Sequence, residues 1–183
     1  MIKVEFFYSE DSNGTDAGRA NLMAVLEKSL VKFFLDAHKV TSVREARKWK
    51  VKGVPTIRIN GRDVDCNGGG QGDYSAGRRV YKEGEGLLPA PSKWMILRAM
   101  TRVDENPVIC YCMDVRKEAI IDALKKGAGT FKDIQSVTGA STGNECETKN
   151  PAGRCCAPLI IEIVEGWRGK GQKKETEKSS EGG

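Results

Sequence analysis

The chain reads as an α/β domain, a mixed sheet with helices, followed by a small helical domain that carries cysteines. Three observations predict this. Strand-like and helix-like periods alternate over roughly the first hundred residues. Five of the six cysteines crowd residues 110–156, as Cys110, Cys112, Cys146, Cys155 and Cys156. A polar stretch at 102–106, followed by Pro107, marks a hinge between the two parts. The domains are therefore expected at 1–103 and 104–166. From Gly169 onward the text is mostly Lys, Glu, Ser and Gly without an apolar period, so 167–183 reads as a disordered tail. A length of 183 residues lets each domain bury its own core.

The elements follow in order. Ile2–Tyr8 is a strand candidate, and 20–28 is a helix with Leu22, Met23, Val25 and Leu26 at core spacing. A second strand is expected at 31–35. Ser42-Val43-Arg44-Glu45 is a capping box that opens another helix. Pro55-Thr56-Ile57-Arg58-Ile59 and Asp63-Val64 are strands joined at Asn60-Gly61, the strongest short hairpin signal. A helix at 92–103 closes the domain. In the second domain, Asp114 is expected to cap a helix whose apolar face includes Ala119, Ile120 and Leu124 and which ends at Lys125-Lys126-Gly127. Thr130 to Asp133 opens a short helix that stops at Gly139, and LIIEIVEG writes a last one with Pro158 in its first turn.

Clustered thiols in a chain of this kind point to a metal site rather than to disulfides. Four thiolates suit either a tetrahedral zinc or a two-iron, two-sulfur cluster, so the count does not choose between them. The spacing narrows the choice, for the chain contains no C-x-x-C knuckle and lacks the plant-type ferredoxin spacing.

The stretch ICYCMDVRKEAIIDALKKGAGTFKDIQSVTGASTGNEC, followed by NPAGRCCAPLIIEIV, resembles the bacterioferritin-associated ferredoxin (BFD-like) family. The family pattern is C-x-C, a helix ending in G-A, a short helix opening with T, then T-G-A-x-T and a terminal C-x-x-C-x-P. That resemblance implies a helical domain with one [2Fe-2S] cluster. It carries the first ligand pair onto Cys110 and Cys112, the third ligand onto Cys146 and the fourth onto Cys156, because Cys156-Ala157-Pro158-Leu159-Ile160 reproduces C-x-P-x-I. Cys155 is left as a neighbouring thiol. The departure lies in GNECETKNPAGRCC, where the last two ligands stand further apart than usual. An inserted loop, as in the similar iron-sulfur domain of an archaeal copper chaperone, accounts for it. Such a cluster is anionic and needs donors; helix amino ends beside Cys112 and Cys156 are expected to supply them.

Residues 1–100 resemble the thioredoxin fold through Gly53-Val54-Pro55-Thr56, similar to that fold's G-V-P-T with its cis proline. Where a redox-active member carries C-x-x-C, this chain reads Ser12-Asn13-Gly14-Thr15. Hydroxyls form neither disulfide nor thiolate, which excludes thiol-disulfide exchange by that loop. What remains is a platform for an extended partner segment or a packing domain.

Other candidates carry less. Cys66 precedes Gly68-Gly69-Gly70 without a phosphate-loop motif. His38, the only histidine, is expected solvated in a polar loop. Arg78, Arg79 and Lys82 are read as an exposed, partner-docking basic face, and a net charge of +5 without a recognised motif argues against nucleic acid. With neither signal peptide nor membrane span in the text, the chain is expected in the cytoplasm. The resulting expectation is an electron-transfer protein or accessory subunit serving a redox partner, not an enzyme. The alternative is copper, zinc or sulfur delivery with a structural or sensing iron-sulfur module.

Overall fold

In the computed structural model, residues 1–65 and 73–180 are described, with side chains through residue 169. Cys66 and Gly68 to Gly70 lie outside the described residues. The chain divides into two compact units, Met1–Glu105 and Asn106–Gly183.

The first unit runs β1 (Ile2–Tyr8), α1 (Thr15–Lys28), β2 (Phe33–Lys39), α2 (Val43–Trp49), β3 (Lys52–Val54), β4 (Thr56–Ile59), β5 (Arg62–Asp63), β6 (Ser75–Arg78), β7 (Tyr81–Glu83), β8 (Gly86–Leu88) and α3 (Lys93–Val103). Its main sheet has the order β2-β1-β4-β5. Strand β1 is parallel to β2 and antiparallel to β4, and β4 is antiparallel to β5. Two separate two-stranded sheets pair β3 with β6 and β7 with β8. The alternation of β1 buries Val4 and Phe6 on one side, and Phe7 packs on the other with Val40, Ala46, Val51 and Val54. Helix α1 buries Leu22, Val25 and Leu26, α3 buries Ile96, Leu97 and Met100, and the two helices pack together.

Local signals are realised closely here. Both halves of the capping box form at Ser42 and Glu45, the Ser92 hydroxyl accepts from Met95 N at 3.1 Å, and Asn60 and Gly61 take φ of 49° and 76° in the hairpin turn. The Val54–Pro55 peptide bond is cis.

Three expectations are corrected in this unit. Strand β2 begins at Phe33 rather than 31 and extends to Lys39, because its parallel register with β1 runs from Ile2↔Phe33 to Tyr8↔Lys39. His38 is therefore a strand residue. Its ring stacks against Phe7 and Trp49, with centroids at 5.1 Å and 4.0 Å, and is not a solvated loop group. Helix α1 begins at Thr15, five residues before the apolar period.

The third correction concerns Arg79, which is only 4% exposed and belongs to no basic surface. Its guanidinium donates to Asp63 Oδ2 at 2.5 Å, to Thr56 Oγ1 at 2.9 Å and to Asp65 Oδ2 at 3.3 Å, over the ring of Tyr81. Carboxylates from the β4–β5 hairpin draw it inward, since a buried guanidinium needs paired acceptors.

The second unit contains β9 (Val108–Cys110), β10 (Val115–Arg116), α4 (Lys117–Lys125), α5 (Phe131–Thr138), α6 (Cys146–Lys149) and α7 (Ala157–Ser180). Ile120, Ile134 and Ile160, one from each longer helix, and Ile109 from β9 are fully buried, and the three helices pack against one another. Thr130 and Asp133 form the expected capping box, and Gly139 closes α5 with φ of 71°. Helical backbone continues through 167–180, where composition predicts disorder. Lys, Glu and Gln favour helix, and their polarity opposes tertiary packing rather than helix formation. No helix among the described residues is long and apolar enough to cross a membrane.

Candidate metal centre

The β9 strand ends on Cys110 and the turn after it presents Cys112, so the C-x-C text leaves a strand and enters a tight reversal. Asp114 takes φ of 49° in that turn and caps nothing; β10 intervenes, and α4 starts only at Lys117. The capping role falls instead to Asn106. Its Oδ1 accepts from Glu118 N at 3.0 Å while its Nδ2 donates to Glu118 Oε2 at 3.0 Å, and Pro107 O accepts from Lys117 N. The first amides of α4 are thus taken by the boundary segment, and the expected helix dipole at Cys112 is not there. Pairing of Val115 and Arg116 with β9 postpones the helix, a long-range effect that no capping signal reveals.

The other thiols arrive from the far side of the unit. The loop after α5 carries Thr138, Gly139, Ala140 and Ser141, and the inserted segment forms the single-turn α6 with Cys146 at its start. Asn150 N donates back to Cys146 O at 3.1 Å, and Ala152 N to Asn150 Oδ1 at 2.8 Å, which gives the insertion a closed turn. Cys155 and Cys156 precede α7, whose first amides fold back on Cys156 O through Leu159 N and Ile160 N.

Five cysteines meet here. Cys112 Sγ and Cys146 Sγ stand 3.4 Å apart. Cys156, buried, interacts with Cys110, also buried. The Ser141 amide donates to Cys110 Sγ at 3.3 Å, and the Ser141 hydroxyl lies 3.3 Å from Cys155 Sγ. Cys155 is exposed, receives the Ala157 amide at 3.5 Å, and interacts with the thiols of Cys146 and Cys156. Ser141 carries no motif-level signal, and sequence reasoning misses it.

The electrostatics follow from this crowding. Hydrogen bonding to Cys112, then burial, pushes the Cys146 thiol up to about 11. Burial, then Cys110, pushes Cys156 upward as well. Neighbouring thiols resist becoming adjacent thiolates, and a bound cation removes that resistance. Cys155 shifts the other way, lowered first by the Ser141 hydroxyl and then by the Ala157 amide.

The donor set fits a dinuclear iron-sulfur group, for the thiols fall into two pairs, Cys112 with Cys146 and Cys110 with Cys156, and two thiols to each iron is the dinuclear arrangement. The anionic group also needs N–H donors. The Ser141 amide is one, and Asn150 Nδ2, in the loop between Cys146 and Cys155, is buried without a hydrogen-bond partner among the described residues.

Neither the curated proteins nor the solved structures yield a match to the chain. A family model does match, that of the BFD-like [2Fe-2S] binding domain, and it spans residues 108–165. Those limits run from the first residue of β9 into α7 and enclose all five clustered cysteines. The carboxy-terminal segment 108–165 is a BFD-like [2Fe-2S] binding domain.

Proposed function

We propose that this protein is a one-electron carrier, or an accessory redox subunit, that holds one [2Fe-2S] cluster through Cys110, Cys112, Cys146 and Cys156 and exchanges electrons with a partner oxidoreductase. The observation that carries the reading is the pairing of thiols, Cys112 with Cys146 and Cys110 with Cys156. When bound, the cluster supplies a site that gains or loses a single electron. The chain supplies the rest. Buried Cys110 and Cys156 shield one side from water, the Ser141 amide stabilises charge on Cys110 sulfur, and the half-exposed Cys112 and Cys146 leave the other side open to a partner. Protein purified without oxygen is expected to show the visible absorption of a [2Fe-2S] centre and a paramagnetic signal on reduction. Stoichiometric zinc without iron would sink the reading.

We read the first unit as a thioredoxin-like domain without thiol chemistry. Supporting this are the strand order β2-β1-β4-β5 and the placing of Ser12 and Thr15 where that fold carries its cysteines. Ser12 Oγ donates to Val54 O at 3.2 Å, and Thr15 Oγ1 to Ser9 O at 2.6 Å. Both hydroxyls are engaged structurally. A cleft of about 460 Å³ beside them, lined by Ser9, Ser12, Asn13, Thr41, Gly77 and Arg78, is the place where the docking role of this domain is to be sought.

A further inference from the structure

A [2Fe-2S] cluster takes four cysteine ligands, and this site gathers five. The surplus thiol is no distant bystander. Cys155 is exposed, yet it interacts with both Cys146 and Cys156, and it is held by the Ser141 hydroxyl at 3.3 Å and the Ala157 amide at 3.5 Å. The two neighbours differ in how firmly the fold holds them. Cys156 is 1% exposed, leads into the long helix α7 and interacts with the buried Cys110. Cys146 stands on α6, a helix of four residues inside the inserted loop, and is half-exposed. No side-chain hydrogen bond caps that helix.

We infer that Cys155 is a standby ligand for the position of Cys146, so that the cluster is held in two interchangeable ligand sets, Cys110, Cys112, Cys156 with either Cys146 or Cys155. This rests on the cluster reading above. In the exchange the iron–sulfur bond to Cys146 breaks and one to Cys155 forms. The proton leaving the Cys155 thiol passes to the departing Cys146 thiolate, directly or through the Ser141 hydroxyl. Charge and electron count stay constant, and no oxidant is required.

The test uses the full chain, reconstituted without oxygen from ferrous iron and sulfide, with iron and sulfide content and visible circular dichroism as readouts. Cys146→Ala is expected to keep full iron content with a shifted dichroism spectrum, because Cys155 takes the vacant place. Cys155→Ala is expected to keep full iron content through Cys146, and Cys146→Ala/Cys155→Ala to lose the cluster, as Cys112→Ala does. A folded Cys146→Ala protein as empty as the double variant overturns the inference. Should Cys146→Ala not fold, alkylation of loaded wild type decides: label on Cys146 as well as Cys155 supports exchange, and label confined to Cys155 refutes it. A wild-type chain that takes up no iron at all overturns the cluster reading itself, a result distinct from the others.

Discussion

The backbone amide of Ser141 points at the sulfur of Cys110, 3.3 Å away, across thirty-one positions of sequence. It does so because Ser141 has a φ of 62°, which turns the chain sharply just after the Gly139 cap. The same residue holds Cys155 with its hydroxyl. Ser141→Gly separates the two roles. The amide stays, and the left-handed backbone is relieved, so the loaded protein is expected to keep its visible spectrum and to gain up to about 1 kcal/mol in stability. Loss of the hydroxyl raises the Cys155 thiol back towards its ordinary value, so alkylation of Cys155 in the unloaded chain at neutral pH should slow. An unchanged rate would mean that the Ala157 amide alone activates it.

Cys156→Ser is expected to abolish or strongly shift the cluster signal, whereas Cys155→Ser leaves it nearly intact. Cys156 is buried against Cys110 and Cys155 is exposed, so only the first removal leaves a gap within the core of the site. Iron content and visible absorption of the two purified variants check this, and the reverse outcome would move the fourth ligand to Cys155.

Gly143 is a steric requirement of the centre. A Cβ there would meet Cys112 Cβ at 2.8 Å and Met113 Sδ at 3.2 Å. Gly143→Ala should displace Cys112, lower iron retention and cost about 1–3 kcal/mol. Gly166→Ala, in α7 with nothing within 4 Å of the new carbon, is the contrasting control and should stabilise by about 1 kcal/mol. Chemical denaturation of both variants compares them directly.

The capping box of α5 sets an acid limit on the second unit. Asp133 accepts from the amides of Gly129 at 3.0 Å and Thr130 at 2.7 Å, and hydrogen bonding from Thr130 leads the causes that hold its carboxyl below the usual aspartate range. A carboxylate depressed on folding stabilises above its unfolded value, near about 4, and the contribution fades as pH falls through the lower folded value. Unfolding followed between neutral pH and about pH 3 should show this slope in wild type and a flatter one in Asp133→Asn.

Arg79 should behave as a core residue. Arg79→Ala leaves Asp63 and Asp65 facing each other without a cation and is expected to cost about 3–5 kcal/mol. Arg79→Lys should not restore the loss, since one ammonium cannot reproduce the forked contacts. A variant that folds normally and changes only the salt dependence of partner binding would return Arg79 to the surface role its sequence neighbours imply.

The sequence by itself determined what depends on a few adjacent residues. The two capping boxes, the Asn60-Gly61 turn, the Gly139 stop and the Pro158 helix start were all legible because each closes its hydrogen bonds within four or five positions. The C-x-C, T-G-A-S-T and C-A-P text likewise located the cysteine-rich segment that the family model spans at 108–165.

Tertiary structure decided what depends on distant partners. The register of β2 against β1 drew His38 into an aromatic stack, two carboxylates on a hairpin drew Arg79 inward, and β10 pairing took from Asp114 the cap that its composition promised to α4. The Cys112–Cys146 contact and the double hold of Ser141 on Cys110 and Cys155 belong to the same class. Local text records backbone preference over one turn; which thiol meets which is set by the packing of α4, α5 and α7, whose Ile120, Ile134 and Ile160 are fully buried.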